Sequence, residues 1–208
     1  SPACMLQLNR PGSVGIPHAD FLIAAFDPDT GEELEIGQVG EICINGPTMM
    51  MGYYNNQAET EHIMRTHADG RKWIHTGDLG YMDEDGFLYI QGRIKRVIIR
   101  VDGFKVYPHG IEDVICSCPE VHTATVVGTP AAGEVQGQVP HAFFTLRAGC
   151  AKSEEEVIGE LKELCRRKLA EYAQPVYFTC IPEMPMTSIG KIDYKQLEGI
   201  SPEHTGNA

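Results

Sequence analysis

The segment that most constrains the fold is a strongly signalled α-helix that begins after Ser153. Ser153 and Glu156 form the pattern of a capping box, in which each side chain accepts a hydrogen bond from the backbone amide of the other residue. Two more glutamates in the first turn complement the helix dipole. Apolar side chains then recur at helical spacing until Pro175 ends the pattern. The sequence therefore predicts one long amphipathic helix over residues 153–169.

The segments around this helix divide the chain into a β-rich half and an α/β half. Apolar stretches at residues 21–26, 39–45 and 87–91, separated by turn residues, predict strands, and residues 57–65 predict a short helix. Residues 73–76 are expected to lead into a turn after Thr76. In the second half the predicted order is strand, helix, strand, strand, helix, strand, which is typical of a ferredoxin-like fold. The sequence therefore predicts an α+β protein with four parts: a β-rich domain (1–92), a junction (93–96), a small α/β domain (97–200) and a tail (201–208).

A short turn near the end of the chain presents one lysine. It reads Met184-Pro-Met-Thr-Ser-Ile-Gly-Lys191. Proline restricts the backbone and Gly190 removes side-chain bulk, so the ammonium group of Lys191 is expected on a defined, uncrowded turn. A point charge presented in this way suits a polyanionic ligand. The alternative is an ordinary surface turn before a final helix over residues 193–197.

This turn is the last of four motifs that occur in a fixed order. They are Arg10-Pro-Gly-Ser-Val-Gly-Ile-Pro17, Gly40-Glu-Ile42 with Gly52-Tyr53, Trp73-Ile-His-Thr-Gly-Asp-Leu-Gly80 with Gly92-Arg-Ile-Lys-Arg96, and Thr187-Ser-Ile-Gly-Lys191. In order and spacing they resemble the C-terminal third of the adenylate-forming superfamily, which contains acyl-CoA synthetases, peptide-synthetase adenylation domains, D-alanine ligases and luciferases. The resemblance covers about residues 10–198. It implies that the β-rich half is the distorted-barrel end of a large domain and that the α/β half is a mobile lid.

Two motifs of that superfamily do not occur in this sequence. They are the Ser/Thr/Gly-rich phosphate loop ending in Pro-Lys-Gly and the aromatic-Gly-x-Thr-Glu segment that binds adenine and magnesium. The chain begins with Ser, and the resemblance begins in the middle of the family pattern. We therefore expect a C-terminal piece of a longer ligase that is inactive by itself.

The resemblance implies a reaction in two halves. A small-molecule carboxylic acid attacks the α-phosphate of ATP to give an acyl-adenylate, and the thiol of CoA then displaces AMP. In the first half, Asp78 is expected to accept hydrogen bonds from ribose hydroxyls, and Arg93 to contact ribose or phosphate. Lys191 is expected to be the catalytic cation between carboxylate and α-phosphate. Lys95 lies where the family has its hinge, and Mg²⁺ is expected to be held mainly by ATP and by segments outside this chain.

For the thioester half, the resemblance points to a hairpin turn after the junction. Gly103 and Phe104 are expected to line the path of the pantetheine thiol, because a glycine lets the backbone approach closely. Arg96 and Arg100 are expected to meet CoA phosphates. The spacing from Arg93 to this glycine is one residue longer than usual, which predicts a bulge at the hairpin tip.

Composition excludes several other classes of function. The net charge of −12 argues against a nucleic-acid partner. No apolar run is long enough for a membrane span. The histidines show no ligand spacing, so no metal site built from protein side chains is expected. Seven cysteines without a framework spacing predict reduced thiols and a cytoplasmic location.

Two alternatives remain open from the sequence. The acceptor could be the phosphopantetheine of a carrier protein rather than CoA, as in D-alanine or peptide-synthetase activation. In a different class, the chain would be a ferredoxin-like binding module without catalysis, which leaves the order of the four motifs unexplained. Neither the acid nor the oligomeric state can be inferred from this sequence.

Overall fold

Residues 10–130 and 137–200 are described by a computed structural model of the chain. They belong to two separate units, unit 1 (residues 1–95) and unit 2 (residues 96–208). The division falls inside the 93–96 junction expected from the sequence. The movement of a hinge at Lys95 stays a prediction, and the predicted tail over 201–208 lies outside the described residues.

Unit 1 is built on one five-stranded antiparallel sheet. Its strands are β1 (Leu22–Phe26), β2 (Gly40–Asn45), β3 (Met64–Thr66), β4 (Lys72–Met82) and β5 (Leu88–Arg93). The order is β1-β2-β4-β3, with β5 also paired to β4. Helix α1 (Gln57–Ile63) precedes β3, and the side chain of Asn56 caps it. Among the described residues the sheet is open, so the α+β class is confirmed without closure of the distorted barrel.

Both faces of this sheet are buried. Ala25, Ile42 and Leu88 pack together, and Phe26, Cys43 and Trp73 form a second cluster. Successive side chains of a strand point to opposite faces, so β1 and β2 contribute to both clusters, whereas Leu88 comes from β5 and Trp73 from β4. The register between β2 and β4 is fixed by this burial, because a slip by one residue would exchange the two faces.

Unit 2 follows the predicted element order. It contains the hairpin β6 (Ile98–Ile99) and β7 (Lys105–Val106), helix α2 (Pro108–Cys116), β8 (Val121–Pro130), β9 (Gln138–Leu146), helix α3 (Glu154–Lys168), β10 (Tyr177–Cys180) and helix α4 (Tyr194–Glu198). In the described part of the unit, β8, β9 and β10 form a three-stranded sheet, with β10 parallel to β9. A ferredoxin-like sheet would have four strands. In the described structure β6 and β7 pair with each other as a separate two-stranded sheet.

The long helix is the best-predicted element of the chain. The Glu156 amide donates to Ser153 Oγ (3.3 Å), and the Ser153 amide donates to Glu156 Oε2 (2.8 Å), which confirms the capping box. Val157, Leu161 and Cys165 are buried against the sheet core. Within the described ranges, every helix is too short or too polar to cross a lipid bilayer.

Candidate nucleotide and thioester sites

Asp78 and Arg93 are directly opposite each other on β4 and β5. Arg93 Nε lies 2.7 Å from Asp78 Oδ1, and both side chains reach solvent. The structure thus brings together the two residues that the sequence indicates for nucleotide binding. A carboxylate that accepts and a guanidinium that donates lie side by side, which is a donor and acceptor set that matches ribose hydroxyls and a phosphate.

Asp78 belongs to a bulge in β4. The sequence predicts a turn after Thr76, but the strand continues to Met82 and Thr76-Gly77-Asp78 bulge out of the ladder to β2. Gly77 has φ +71°, in the left-handed region that favours glycine. The Thr76 hydroxyl donates to Ile42 O (2.7 Å) and accepts from the Asp78 amide (3.1 Å). The backbone that presents Asp78 is therefore held by local hydrogen bonds.

A cleft of about 420 Å³ in unit 1 is lined by Arg93 and Lys95. Other cationic or titratable groups at this cleft are Arg65, His62, Glu59, Glu41 and His75. Asp78 is not among the lining residues, although its partner Arg93 is. Lys95 is exposed within a 3-10 turn, Ile94–Arg96. An exposed side chain can stay solvated during a backbone change, as a hinge residue requires.

Glu41 and His75, which line this cleft, form a chain of contacts with the half-buried His67 that the sequence does not predict. Glu41 Oε2 lies 2.7 Å from His75 Nδ1, and His75 Nε2 lies 2.9 Å from His67 Nε2. Burial raises the pKa of Glu41, but the hydrogen bond from His75 and the Gly77 amide outweigh it, and the net pKa is lowered. Glu41 belongs to the Gly40–Ile42 motif and His75 to the Trp73–Gly80 motif, but the sequence does not predict a contact between them.

Lys191 lies on a tight turn in unit 2. The Thr187 amide donates to Lys191 O (2.6 Å), the Gly190 amide donates to Thr187 O (3.0 Å), and Gly190 has φ +74°. The Lys191 amide also donates to Thr187 Oγ1 (3.1 Å). The Lys191 side chain is exposed, and Met186 and Ile192 form an isolated bridge across the base. The turn is defined and uncrowded, as the proline and glycine pattern predicts.

The turn between β6 and β7 has the same backbone pattern. The Arg100 amide donates to Phe104 O (3.0 Å), and the Gly103 amide donates to Arg100 O (2.9 Å). Gly103 has φ +80°, which is the left-handed glycine of a three-residue bulged hairpin and confirms the bulge predicted at the tip. Phe104 is half exposed and stacks on Tyr172, with ring centroids 5.0 Å apart.

Both arginines expected to meet CoA phosphates have internal partners. Arg100 binds the Asp102 carboxylate through Nε and Nη2, and Asp102 has a lowered pKa because of this contact. Arg96 is mostly buried, pairs with Glu112 and lies over the Tyr194 ring, 3.9 Å from its centroid. In the described structure Arg96 joins α2 to α4, so its charge is already compensated.

Among residues 10–130 and 137–200, two groups of side chains each place three potential metal-ligand atoms within 4.8 Å of one another. They are Glu41, Cys43 and His75, and Cys118, Glu120 and Glu160. In the first group the carboxylate and the imidazole bind each other, and burial raises the pKa of the Cys43 thiol to about 12. In the second group the ammonium of Lys152 binds both carboxylates. Neither group therefore indicates a metal site.

Two family models match segments of this chain. The model of the AMP-binding enzyme C-terminal domain matches residues 110–191, and the AMP-binding enzyme model matches residues 1–54. The chain belongs to the adenylate-forming, AMP-binding family. The chain is 36% identical to probable 4-coumarate–CoA ligase 2 of Dictyostelium discoideum, over 97% of this chain and 35% of the relative. It is 37% identical to the long-chain-fatty-acid–CoA ligase of Bacillus subtilis, over 91% of this chain and 32% of the relative.

Solved structures of the family superpose on most of this chain. MatB from Rhodopseudomonas palustris, solved with ATP bound, has a TM-score of 0.77 and 31% identity, and the match covers 90% of this chain and 35% of MatB. The o-succinylbenzoate CoA synthetase MenE from Bacillus subtilis, solved with its acyl-adenylate, has a TM-score of 0.77 and 32% identity. The match covers 97% of this chain and 38% of MenE. The same enzyme has been solved with ATP and a magnesium ion. The chain spans about a third of the length of these relatives.

Proposed function

We propose that this chain is the C-terminal part of an ATP-dependent carboxylate ligase that forms an acyl-adenylate and then an acyl-CoA thioester. The observation that supports this best is the Asp78–Arg93 pair, which joins an acceptor and a donor at the edge of β4 and β5. The matched relatives are CoA ligases, and they are about three times as long. We expect the chain alone to lack activity and the longer protein that contains it to be the enzyme.

The residues fit a nucleotide in the following way. The Asp78 carboxylate would accept the ribose hydroxyls, and Arg93 would donate to ribose or phosphate. Lys191, exposed on its turn, would bring a positive charge to the oxygens between carboxylate and α-phosphate. ATP supplies the reactive α-phosphate, and Mg²⁺, held mainly outside this chain, neutralises its charge.

The thioester half is proposed to use the turn at Gly103 and Phe104. The space beside the Cα of Gly103 is open, because a Cβ atom built there would have no heavy atom of the protein within 4 Å. A ligand can therefore approach the backbone at this position. The half-exposed Phe104 ring offers an apolar surface to the thiol arm. Because Arg96 and Arg100 already bind carboxylates, we propose that their contribution to CoA phosphates is smaller than charge alone suggests.

The test uses the full-length protein that contains this chain. Lys191→Ala should reduce ATP–pyrophosphate exchange by at least about a hundredfold, the loss typical of a preorganised charge at a transition state. Thioester formation from a preformed acyl-adenylate should be largely spared. Lys195→Ala removes another exposed lysine, from α4, and is the matched control. Unchanged exchange in Lys191→Ala would contradict the proposal.

A second arm of the same assay identifies the acceptor. The adenylate is offered to free CoA and to a phosphopantetheine-loaded carrier protein, and thioester is measured on each. We expect thioester on CoA. Product on the carrier alone would replace CoA by a carrier protein as the partner, and product on neither would support a module without ligase activity.

We also place the protein in the reducing cytoplasm, since the six described cysteines are free.

A further inference from the structure

Glu41 is a buried acid that the proposed reaction does not use, and it lies opposite the bulge that presents Asp78. In the ladder between β2 and β4, Glu41 pairs with Leu79 and Cys43 pairs with His75. One residue of β2, Ile42, therefore faces three residues of β4. A bulge of this kind takes backbone groups out of the ladder, and buried groups need other partners.

Side chains replace the ladder hydrogen bonds that the bulge removes. The Asp78 amide donates to Thr76 Oγ1, and Thr76 Oγ1 in turn donates to Ile42 O. The Gly77 amide donates to Glu41 Oε1, at 3.0 Å. The Glu41 carboxylate is therefore the group that joins the middle of the bulge to the neighbouring strand.

The other carboxylate oxygen is fixed as well. Glu41 Oε2 accepts from His75 Nδ1 (2.7 Å), and the other ring nitrogen of His75, Nε2, lies 2.9 Å from His67 Nε2. Glu41 and His75 are 7% and 8% exposed, so neither group can exchange its partner for bulk water without a local opening. This network explains why a glutamate, with two acceptor oxygens and a long reach, stands at this position.

We propose that Glu41 is a positioning residue for Asp78: by holding the Gly77 amide, its carboxylate keeps the bulge in one conformation and the Asp78 carboxylate beside Arg93, ready for ribose hydroxyls. This inference rests on the proposed function for its consequence in catalysis. Its structural part, the Glu41–Gly77 clamp, concerns the chain itself and is tested without any ligand.

The first experiment measures amide hydrogen exchange of Gly77 by NMR in the 208-residue chain. Glu41→Gln keeps the reach and an acceptor oxygen, and His75 can adopt the tautomer that accepts from the new amide, so protection of Gly77 should be retained. Glu41→Asp keeps the charge but shortens the side chain, so Gly77 should exchange about tenfold faster or more. Glu84→Ala, which removes an exposed acid at the β4–β5 turn, is the control. Equal protection in Glu41→Asp and wild type would overturn the clamp.

The second experiment measures steady-state kinetics in the full-length protein. Glu41→Asp should raise the KM for ATP about tenfold, the effect of about one lost hydrogen bond to a charged group, and leave the KM for the acid unchanged. Glu41→Gln should keep a KM for ATP close to that of the wild type. In the Asp78→Ala background, Glu41→Asp should have little further effect, because it acts through Asp78. If the KM for ATP of the double variant rose by the product of the two single effects, the inference would be contradicted. An unchanged KM for ATP in Asp78→Ala would instead refute the nucleotide role of Asp78, with the Gly77 exchange still deciding the clamp.

Discussion

A buried histidine on β9 should make unit 2 sensitive to mild acid. His141 is fully buried, its ring stacks on Phe143 with centroids 4.1 Å apart, and Nε2 lies 2.7 Å from Thr179 Oγ1. Burial lowers the pKa of His141 from 6.5 to about 4. The imidazole is therefore neutral in the folded protein at every pH above about 4, whereas it becomes charged near pH 6.5 in the unfolded chain.

The sign and size of the effect follow from this difference. Above pH 6.5 neither state binds the proton, and His141 has no influence on stability. As the pH falls from 6.5, only the unfolded state binds the proton, so stability is lost by about 1.4 kcal/mol per pH unit. The loss reaches about 2 kcal/mol at pH 5 and levels off at about 3 kcal/mol once the folded protein also binds the proton, near pH 4.

Urea unfolding at pH 7 and pH 5 tests this reasoning, with the helical circular dichroism signal followed because α3 belongs to unit 2. His141→Gln keeps a polar group near Thr179 but cannot titrate, so its free energy of unfolding should fall about 2 kcal/mol less between the two pH values than that of the wild type. His122→Gln removes an exposed histidine from β8 and is the matched control. The same loss of stability in His141→Gln and wild type would refute the assignment.

Two further pairs of substitutions test the local structure of unit 2 by the same urea unfolding. Ser153→Ala should cost about 1 kcal/mol because it removes the cap of α3, and Ser153→Thr should retain most of the stability; equal stability of all three proteins would contradict the capping box. Gly103→Ala should lower the free energy of unfolding by about 1 kcal/mol, because alanine is unfavourable in the left-handed backbone conformation of this position. Gly110→Ala, inside α2, should raise the free energy of unfolding by a similar amount, because alanine favours a helix. A stabilising Gly103→Ala would contradict the bulged turn.

Local features of this fold could be predicted from the sequence because a few neighbouring residues determine them. The capping residues of α3 and the glycine of each turn act within four or five positions, and the structure places them as expected. Asp78 and Arg93 were also named from their motifs, and their cross-strand contact follows once β4 and β5 pair. Such contacts need only a hairpin between neighbouring strands.

The rest depends on pairing between distant parts of the chain. The contact of Glu41 with Gly77 requires the register of β2 against β4, including a bulge that no local pattern encodes. For the same reason the sequence predicts a turn after Thr76, where the structure has a bulged strand that continues to Met82. The sequence predicts that Arg96 binds phosphate, but it does not show that Glu112 and Tyr194 contact this side chain. Burial and ion pairing by distant residues decide whether a basic cluster is available to a ligand.

The two turns proposed for the two half-reactions share one backbone design. In each, the residue that would act on the ligand, Lys191 or Phe104, directly follows a left-handed glycine, and a side-chain oxygen accepts its amide: Thr187 Oγ1 at 3.1 Å and Asp102 Oδ1 at 3.3 Å. These hydrogen bonds hold each turn in its conformation without a ligand. A change from adenylation to thioester formation would therefore not reshape either turn. It would have to come from rotation elsewhere in the backbone, and the exposed residue Lys95 at the division between the units is where we expect it.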